Sequence, residues 1–590
     1  MSLINILNLF SGGLKTSGSD ESELIIGSFG NDELDGNGGD DLIFALSGDD
    51  KLSGGLGADT IFAGSGDDTV EGGDGEDHLF GGTGDDRIVG NKGNDSMFGG
   101  QGNDMLVWNN GDGSDLMDGG QGYDQVQVNF DTDLVDNDLQ NKDVAEFSVT
   151  DEGVQFARIE VNDQTERGLF QLDIRNTEAL ETNFGGGDDT AVIKDTVLDE
   201  ITLDLDGGDG IDTLDLSQAA GPAEVILGRN KLNESTVENF ENVVGTAFDD
   251  TIRGNNQDNV ISGLDGQDKI FGHGGDDTLV GGKGNDKIFG GKGDDKLVWN
   301  NGDGSDLMKG GSGDDLVQVN FDTDLVDDDL QNKDVAEFST TSHGVEFARI
   351  EVNEQTERGL FQLDIRETET LETNFGGGDD TAVIVGTVLD EIVLDLDGGD
   401  GIDLLDFSQA AYGVNVDLAA GTMNSIGDVV TGESGEGVIS SSGEGVIDTS
   451  GATGVPVSAE DIDALTPLNS TSSAVNFENV TGSAFDDTIT GNDQDNVIRG
   501  GAGNDIMLGG EGADTFVFFE EDTGVDVILD FNFGEDSLLF VTNDPDVTTE
   551  NLLANLSQVG DDVELSLNNK VITFEDAVVT DFFADDFMIA

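Results

Sequence analysis

A large apolar residue recurs every nine positions from Leu34 to Leu106, bracketed by small or polar residues and a glycine-rich turn. The phrase reads G-G-x-G-x-D-x-U-x, with U apolar, and runs nine times from Gly27 to Val107 without slipping. GGLGADTIF (Gly54–Phe62), GGDGEDHLF (Gly72–Phe80), GGTGDDRIV (Gly81–Val89) and GGQGNDMLV (Gly99–Val107) are its cleanest copies. It returns six times from Gly245 to Val298 and four times from Gly482 to Val517. A fixed short period decides architecture ahead of local propensity. The x-U-x piece predicts a very short strand with U facing inward, and the glycines supply the positive φ of tight turns. Two phrases then form one coil of a right-handed solenoid, and phrases two apart stack on the same edge.

Between the arrays the pattern changes to simple alternation, as in Val154/Phe156, Phe170/Leu172/Ile174 and Ile201/Leu203/Leu205. Period two predicts strands with one buried face. No long helix is expected. These segments are duplicated: Gly99–Ala220 repeats at Gly290–Ala411, offset by 191 residues without a gap. VQVNFDTDLVD and QTERGLFQLDIR occur in both copies. Each copy begins where the phrase takes two extra residues, Trp108-Asn109 and Trp299-Asn300. The expected organisation is an N-terminal segment (1–26), a first roll (27–128), an insert (129–244), a second roll (245–319) and the second insert (320–420). A Gly/Ser-rich flexible insertion (421–475), a third roll with closing strands (476–540) and a C-terminal cap (541–590) follow.

The phrase also places one aspartate at a constant position. Stacking brings Asp32, Asp50, Asp68, Asp86 and Asp104 to one edge, and Asp41, Asp59, Asp77 and Asp95 to the other. At the roughly 4.8 Å spacing of adjacent strands, neighbouring carboxylates repel by about 1 kcal/mol in water, or roughly 3–4 at an effective dielectric of 20. Such columns cannot stack unaided, so a cation must lie between coils. Carboxylates and turn carbonyls in a glycine loop suit calcium better than magnesium or zinc.

The phrase resembles the repeats-in-toxin (RTX) calcium-binding nonapeptide, a β-solenoid repeat. The resemblance implies an all-β parallel β-roll with duplicated β-rich inserts, and calcium held by sixth-position aspartates and neighbouring carbonyls. The implied ligands are Asp32, Asp41, Asp50, Asp59, Asp68, Asp77, Asp86, Asp95, Asp104 and Asp124. Further along they are Asp250, Asp268, Asp277, Asp286, Asp295, Asp315, Asp487, Asp505 and Asp514. Isolated copies occur as GGDGIDTLD (Gly207–Asp215) and GGDGIDLLD (Gly398–Asp406). GNNQDNVIS and GNDQDNVIR carry Gln257/Gln494 in place of Gly and Asn259/Asn496 in place of Asp, and read as capping coils with weak or absent sites.

Composition narrows the function. Net charge is -102, from 126 acidic and 24 basic residues. Without counter-ions such a chain is expected to be expanded, and it is unsuited to nucleic acid. There is no cysteine, which excludes disulfides and thiolate metal sites. The first residues read as a poor Sec signal and as too short to span a membrane, and no other segment reads as a transmembrane helix. Thr515–Phe540 resembles the segment closing the last roll in secreted RTX proteins, and DFFADDFMIA (Asp581–Ala590) resembles an uncleaved type I secretion signal. The resemblance therefore implies an extracellular location and a type I secretion apparatus as partner.

Candidate chemistry beyond calcium is sparse. Arg158, Arg167 and Arg175, with their twins Arg349, Arg358 and Arg366, concentrate in the inserts. They read as charge-neutralising more than as an anion clamp, and the two Trp as packing more than as a sugar platform. His78, His273 and His343 are isolated, and neither an HExxH helix nor a G-x-S-x-G elbow occurs. The expected function is structural or adhesive, at a cell surface or in an extracellular matrix, with polysaccharide as a candidate partner. The alternatives are a calcium-dependent carbohydrate-active enzyme or a lectin-like module sited in the inserts.

Overall fold

The computed structural model describes residues 2–4, 13–130, 142–151, 153–161, 170–321, 333–342, 344–352, 361–426, 430–431, 437–438, 472–545, 547–567 and 570–590. The chain divides into two compact units, Met1–Ile288 and Phe289–Ala590. Arg167, Arg358, His343 and most of the Gly/Ser-rich stretch lie outside the described residues, as do the side chains of Arg158 and Arg349.

In the first unit the phrase makes a parallel β-roll of two faces. One face stacks Glu23–Ile26, Leu42–Ser47, Thr60–Ser65, His78–Thr83, Ser96–Gln101 and Leu116–Gln121, all parallel. The other stacks Glu33–Asp35, Lys51–Leu56, Thr69–Asp74, Arg87–Lys92, Met105–Asn109 and Gln125–Asn129. Every U residue meets the U residue of the next coil: Ile43 opposite Ile61, Ile61 opposite Leu79, and Leu52 opposite Val70. All of these side chains are buried. Each contributes roughly 1.5–3 kcal/mol of apolar burial. The chain turns between faces on residues in the left-handed region. Gly57 has φ +120°, and a β-carbon there would run into the Gly39 carbonyl of the coil below.

The inserts are threaded into the roll. Lys142–Thr150, Gly153–Val161 and Phe170–Arg175 form an antiparallel meander. Its last strand pairs parallel with Leu116–Gln121, and its first with Thr190–Asp195. Three strands thus stand where the first face would otherwise have one. The second face runs past without interruption, from Gln125–Asn129 to Ala179–Asn183 to Thr202–Asp206. The segment expected as a separate insert, 129–244, therefore shares the sheets of the roll. Trp108, one of the two extra residues, extends a strand and pairs with Val128. Its ring is fully buried, its Nε1 donates to the Gly113 carbonyl at 2.8 Å, and Phe130 and Phe170 pack on it.

The second unit repeats the plan. Lys333–Thr341, Gly344–Val352 and Phe361–Arg366 make the meander, and Trp299 donates to Gly304. Ser472–Val475, assigned from sequence to the flexible insertion, is a strand paired with Val393–Asp397. The roll closes through Thr515–Phe519, Ser537–Val541 and the terminal strand Phe587–Ile589. Among the described residues the α-helices are short: Val197–Glu200, Val388–Glu391 and Thr549–Ala554.

Position U carries the packing, so Leu79→Ala, in mid-array with 0% exposure, should cost about 2–5 kcal/mol. Thr60→Ala, on the outer surface of the same sheet, should change stability by less than about 0.5 kcal/mol. Denaturant unfolding in saturating calcium measures both, and equal losses would contradict the inward assignment.

Candidate metal sites along the turns

Each turn ends in a polar pair that ties its coil to both neighbours. The sixth residue reaches one way. Asp50 Oδ1 accepts the Asp32 N–H at 2.6 Å, Asp68 Oδ1 that of Asp50 at 2.7 Å, and Asp86 Oδ1 that of Asp68 at 2.9 Å. The run continues through Asp104 to Asp124. On the other edge the same bonds link Glu23, Asp41, Asp59, Asp77, Asp95 and Asp115. The fifth residue reaches the opposite way: Asp49 Oδ1 accepts from Asp67 N–H, and Asp67 Oδ1 from Asp85 N–H.

The sixth-position carboxylates are buried, and in many of them one oxygen accepts no hydrogen bond. Oδ2 of Asp41, Asp50, Asp59, Asp68, Asp77, Asp86, Asp95, Asp104 and Asp124 has no hydrogen-bond partner. The same holds for Asp268, Asp315, Asp505 and Asp514. Asp277, Asp286 and Asp295 are equally buried at this register. The open oxygen faces a carbonyl. A β-carbon on Gly54 would meet both Asp59 Oδ2 and the Gly72 carbonyl, and one on Gly72 both Asp77 Oδ2 and the Gly90 carbonyl. Gly54 and Gly72, at the first position of their phrases, keep this space clear.

Three of the expected ligands differ. Asp32, Asp250 and Asp487 are buried in the columns, yet both oxygens of each are hydrogen-bonded within the chain. Ser28, Thr246 and Ser483 give them a backbone N–H and a side-chain hydroxyl. Asn259 and Asn496, expected as capping positions, hold no anionic oxygen. Asn259 Oδ1 accepts from Asn255 N–H at 2.9 Å and its Nδ2 donates to the Glu241 carbonyl at 2.8 Å. Asn496 repeats this with Asn492 and Glu478.

The columns also hold residues that sequence reasoning missed. Asp115, Asp212 and Asp403 have an open Oδ2, and Asp189 and Asp380 lie buried beside the last two. Asp212 and Asp403 stand in the isolated phrases GGDGID, whose stacking partners were not visible. The phrases of Asp115 and Asp189 begin with Asn110 and Phe184, where the pattern demands glycine. Glu178 and Glu241 extend columns by accepting the N–H of Asp124 and Asp212. Outside the columns, Arg175 pairs with Asp173 of its own strand, and Arg366 with Asp364. Both arginines are thus charge partners within the sheet.

Electrostatics follow from this burial. Loss of hydration pushes Asp50 up to about 7, Asp68 to about 6 and Asp86 to about 7, with nearby carboxylates adding to the rise and the accepted N–H opposing it. Asp115 and Asp505 rise to about 8. Among the described residues no three His, Cys, Asp or Glu side chains gather into a ready-made metal cluster. The available donors are therefore one open carboxylate oxygen per phrase with backbone carbonyls. That all-oxygen set, in a glycine turn, fits calcium.

The model of the RTX calcium-binding nonapeptide repeat matches residues 17–52, 44–79, 71–106, 244–279, 271–298, 300–327 and 481–516. The chain carries these calcium-binding repeats in several copies. No curated protein matches it. Among solved structures it is similar to an extracellular lipase from Serratia marcescens, at 14% identity and a TM-score of 0.16. That alignment covers 65% of this chain and 45% of the lipase, so the chain spans less than half the lipase's length. A Ca2+-dependent, β-helical antifreeze protein from an Antarctic bacterium aligns at 15% identity, over 69% of this chain and 86% of that one, with a TM-score of 0.12. At such scores the architecture rests on the strand pairing described above.

Two predictions follow from the open oxygens. Asp68→Ala should weaken calcium binding and lower the melting temperature of the calcium-loaded form, whereas Glu71→Ala removes the same charge from the exposed face of a neighbouring strand and should do little. Indistinguishable calcium titrations of the two would contradict the assignment. The second concerns pH without metal. Carboxyls that titrate near 4 when unfolded and at about 6–7 when folded hold more protons in the folded form between those values. Stability of the calcium-free fold must then fall as pH rises from about 4 to 7. Circular dichroism in chelator should show more strand at pH 4.5 than at pH 7.5, and the reverse trend would refute it.

Proposed function

We propose that this chain of RTX calcium-binding repeats is a secreted structural or adhesive protein, folded outside the cell by the calcium that fills its aspartate columns. The buried carboxylate oxygens that no protein group satisfies carry this reading. Residues such as Asp68 and Asp86 would hold the ion, together with turn carbonyls. The ion supplies positive charge to the aspartate columns. Sites of the weak extracellular class, with dissociation constants of roughly 10⁻⁴–10⁻³ M, would stay empty in a cytosol and fill outside.

The inserts favour a structural role. Phe147, Phe156, Phe184 and Phe240 of the first insert are buried in the roll, and its described strands continue the roll's sheets. The surface left over is acidic, suited to calcium-bridged contact with anionic polysaccharide or with a cell surface.

Export is read from the C-terminal segment. In the folded chain Phe582 packs on Phe531 and Phe574, and Phe587–Ile589 pairs with Ser537–Val541. A type I apparatus would meet Asp581–Ala590 only in the unfolded, calcium-free chain. Binding outside stabilises the folded form alone and so favours one-way transit.

In chelator the chain should show little strand signal at neutral pH, and millimolar calcium should restore it sharply. A chain fully folded in chelator would sink the proposal. Deleting Asp581–Ala590 should leave the protein in the cell pellet, whereas deleting Met1–Asp20 should leave it in the supernatant. The opposite partition would overturn the export assignment. A glycan-binding and hydrolysis screen, with calcium and with chelator, tests the role: calcium-dependent binding without hydrolysis is expected.

A further inference from the structure

The aspartate alone does not decide which phrases keep an open oxygen. The second residue of the phrase does. In mid-array phrases it adopts the left-handed region, Gly55 at φ +110°, Gly64 at +121° and Gly82 at +119°, and so does Gly208 of an isolated phrase at +93°. The aspartates four residues on, Asp59, Asp68, Asp86 and Asp212, all leave Oδ2 without a partner. The rule survives the loss of glycine. Leu46, Leu264, Asn37 and Asn91 occupy the second position at φ 84°, 75°, 66° and 64°. Their aspartates, Asp50, Asp268, Asp41 and Asp95, are also open.

A different group of phrases carries Ser28, Thr246, Ser483 or Asn532 at the second position. None of these residues has a positive φ. In each, the backbone N–H instead donates to Oδ2 of the aspartate four residues on. Thr246 N–H reaches Asp250 at 2.6 Å, Ser483 N–H reaches Asp487 at 2.7 Å, and Asn532 N–H reaches Asp536 at 2.7 Å. Asn255 and Asn492 act likewise on Asn259 and Asn496. A backbone N–H thus occupies the oxygen that would otherwise face the inter-coil space.

Leu46 and Leu264 sharpen the point. A leucine in the left-handed region is strained, and such strain persists only where the surroundings enforce it. Ordinary backbone at these positions would aim their N–H at the carboxylate, as Thr246 does. The strained form is the one that leaves the oxygen open.

We propose that the backbone conformation of the second residue determines whether a phrase binds calcium. Left-handed phrases are calcium sites. Phrases headed by Ser28, Thr246, Asn255, Ser483 or Asn492 are closed by their own backbone and form calcium-free coils at the starts of the arrays. This rests on the calcium reading above and assigns occupancy within it.

The test counts bound calcium per full-length chain, by equilibrium dialysis followed by elemental analysis, with melting temperature recorded alongside. Thr246→Gly and Ser483→Gly free the second position to turn left-handed, and each should add one calcium per chain. Thr246→Ala keeps ordinary backbone and its N–H, so it should add none, although loss of the hydroxyl lowers the melting temperature. Leu264→Thr should remove one calcium, and Leu264→Gly should leave the count unchanged. If the wild-type chain binds calcium but neither glycine variant gains any, this inference falls while the calcium reading stands. A gain in Thr246→Ala would assign closure to the hydroxyl and overturn it too. A wild-type chain that binds no calcium would remove the underlying reading itself.

Discussion

The roll is governed by one constraint: its columns bury carboxylate oxygens, such as Oδ2 of Asp50, Asp68 and Asp86, that accept no hydrogen bond within the chain. At adjacent-strand spacing each neighbouring pair repels by roughly 3–4 kcal/mol at an effective dielectric of 20. The apolar residue of the same phrase returns roughly 1.5–3 kcal/mol. The two are of one size, so the core alone does not outweigh the columns. Protonation relieves the repulsion near the raised values of about 6–7, and a divalent cation relieves it at neutral pH. The same aspartates also align the coils, because the other oxygen of each binds the N–H of its neighbour. Alignment and charge are therefore inseparable: the bond that sets the register brings the like charges together.

Most of this was legible from periodicity. The inward residues Leu34 to Leu106, the two columns beginning at Asp32 and Asp41, and the buried role of Trp108 all follow from a nine-residue phrase and its one two-residue slip. Three things were not legible. Closure of Asp32, Asp250 and Asp487 depends on a backbone angle at Ser28, Thr246 and Ser483, and a one-letter pattern records a departure from glycine without its consequence. Asp115 and Asp189 were hidden because Asn110 and Phe184 stand where the phrase begins with glycine. The threading of the inserts was hidden because alternation shows that a strand is half-buried but not which sheet receives it.

The form of each insert follows from the parallel roll around it. A strand added to a parallel face must leave the chain running in its original direction. A meander adds strands in pairs, so Lys142–Thr150 and Phe170–Arg175 run parallel to their outer neighbours while Gly153–Val161 runs against both. The opposite face gains nothing. Two extra strands widen one face by roughly 9–10 Å. On the widened side, Asp173 of the meander pairs with Leu116 and donates its N–H to the Asp115 carbonyl, and on the far side of the meander Asp143 N–H donates to Asp189 Oδ1.

That interruption bears on cooperativity. On the proposed calcium reading, an ion held between two rungs would be stabilised by both, so filling one rung would favour its neighbours. The coupling travels along a column and stops where a rung is missing. The stops do not coincide with the ends of the repeat arrays. One column runs from Asp41 to Asp115 and halts at the meander. Another runs through Asp189 and Asp212 to Glu241 and halts at Asn259, whose amide supplies a neutral donor where an ion would otherwise be needed. On that reading the cooperative segments would be the columns of open carboxylates, bounded by meanders and amide rungs. The duplicated inserts, which look like interruptions between rolls in the sequence, contribute rungs of their own to that system.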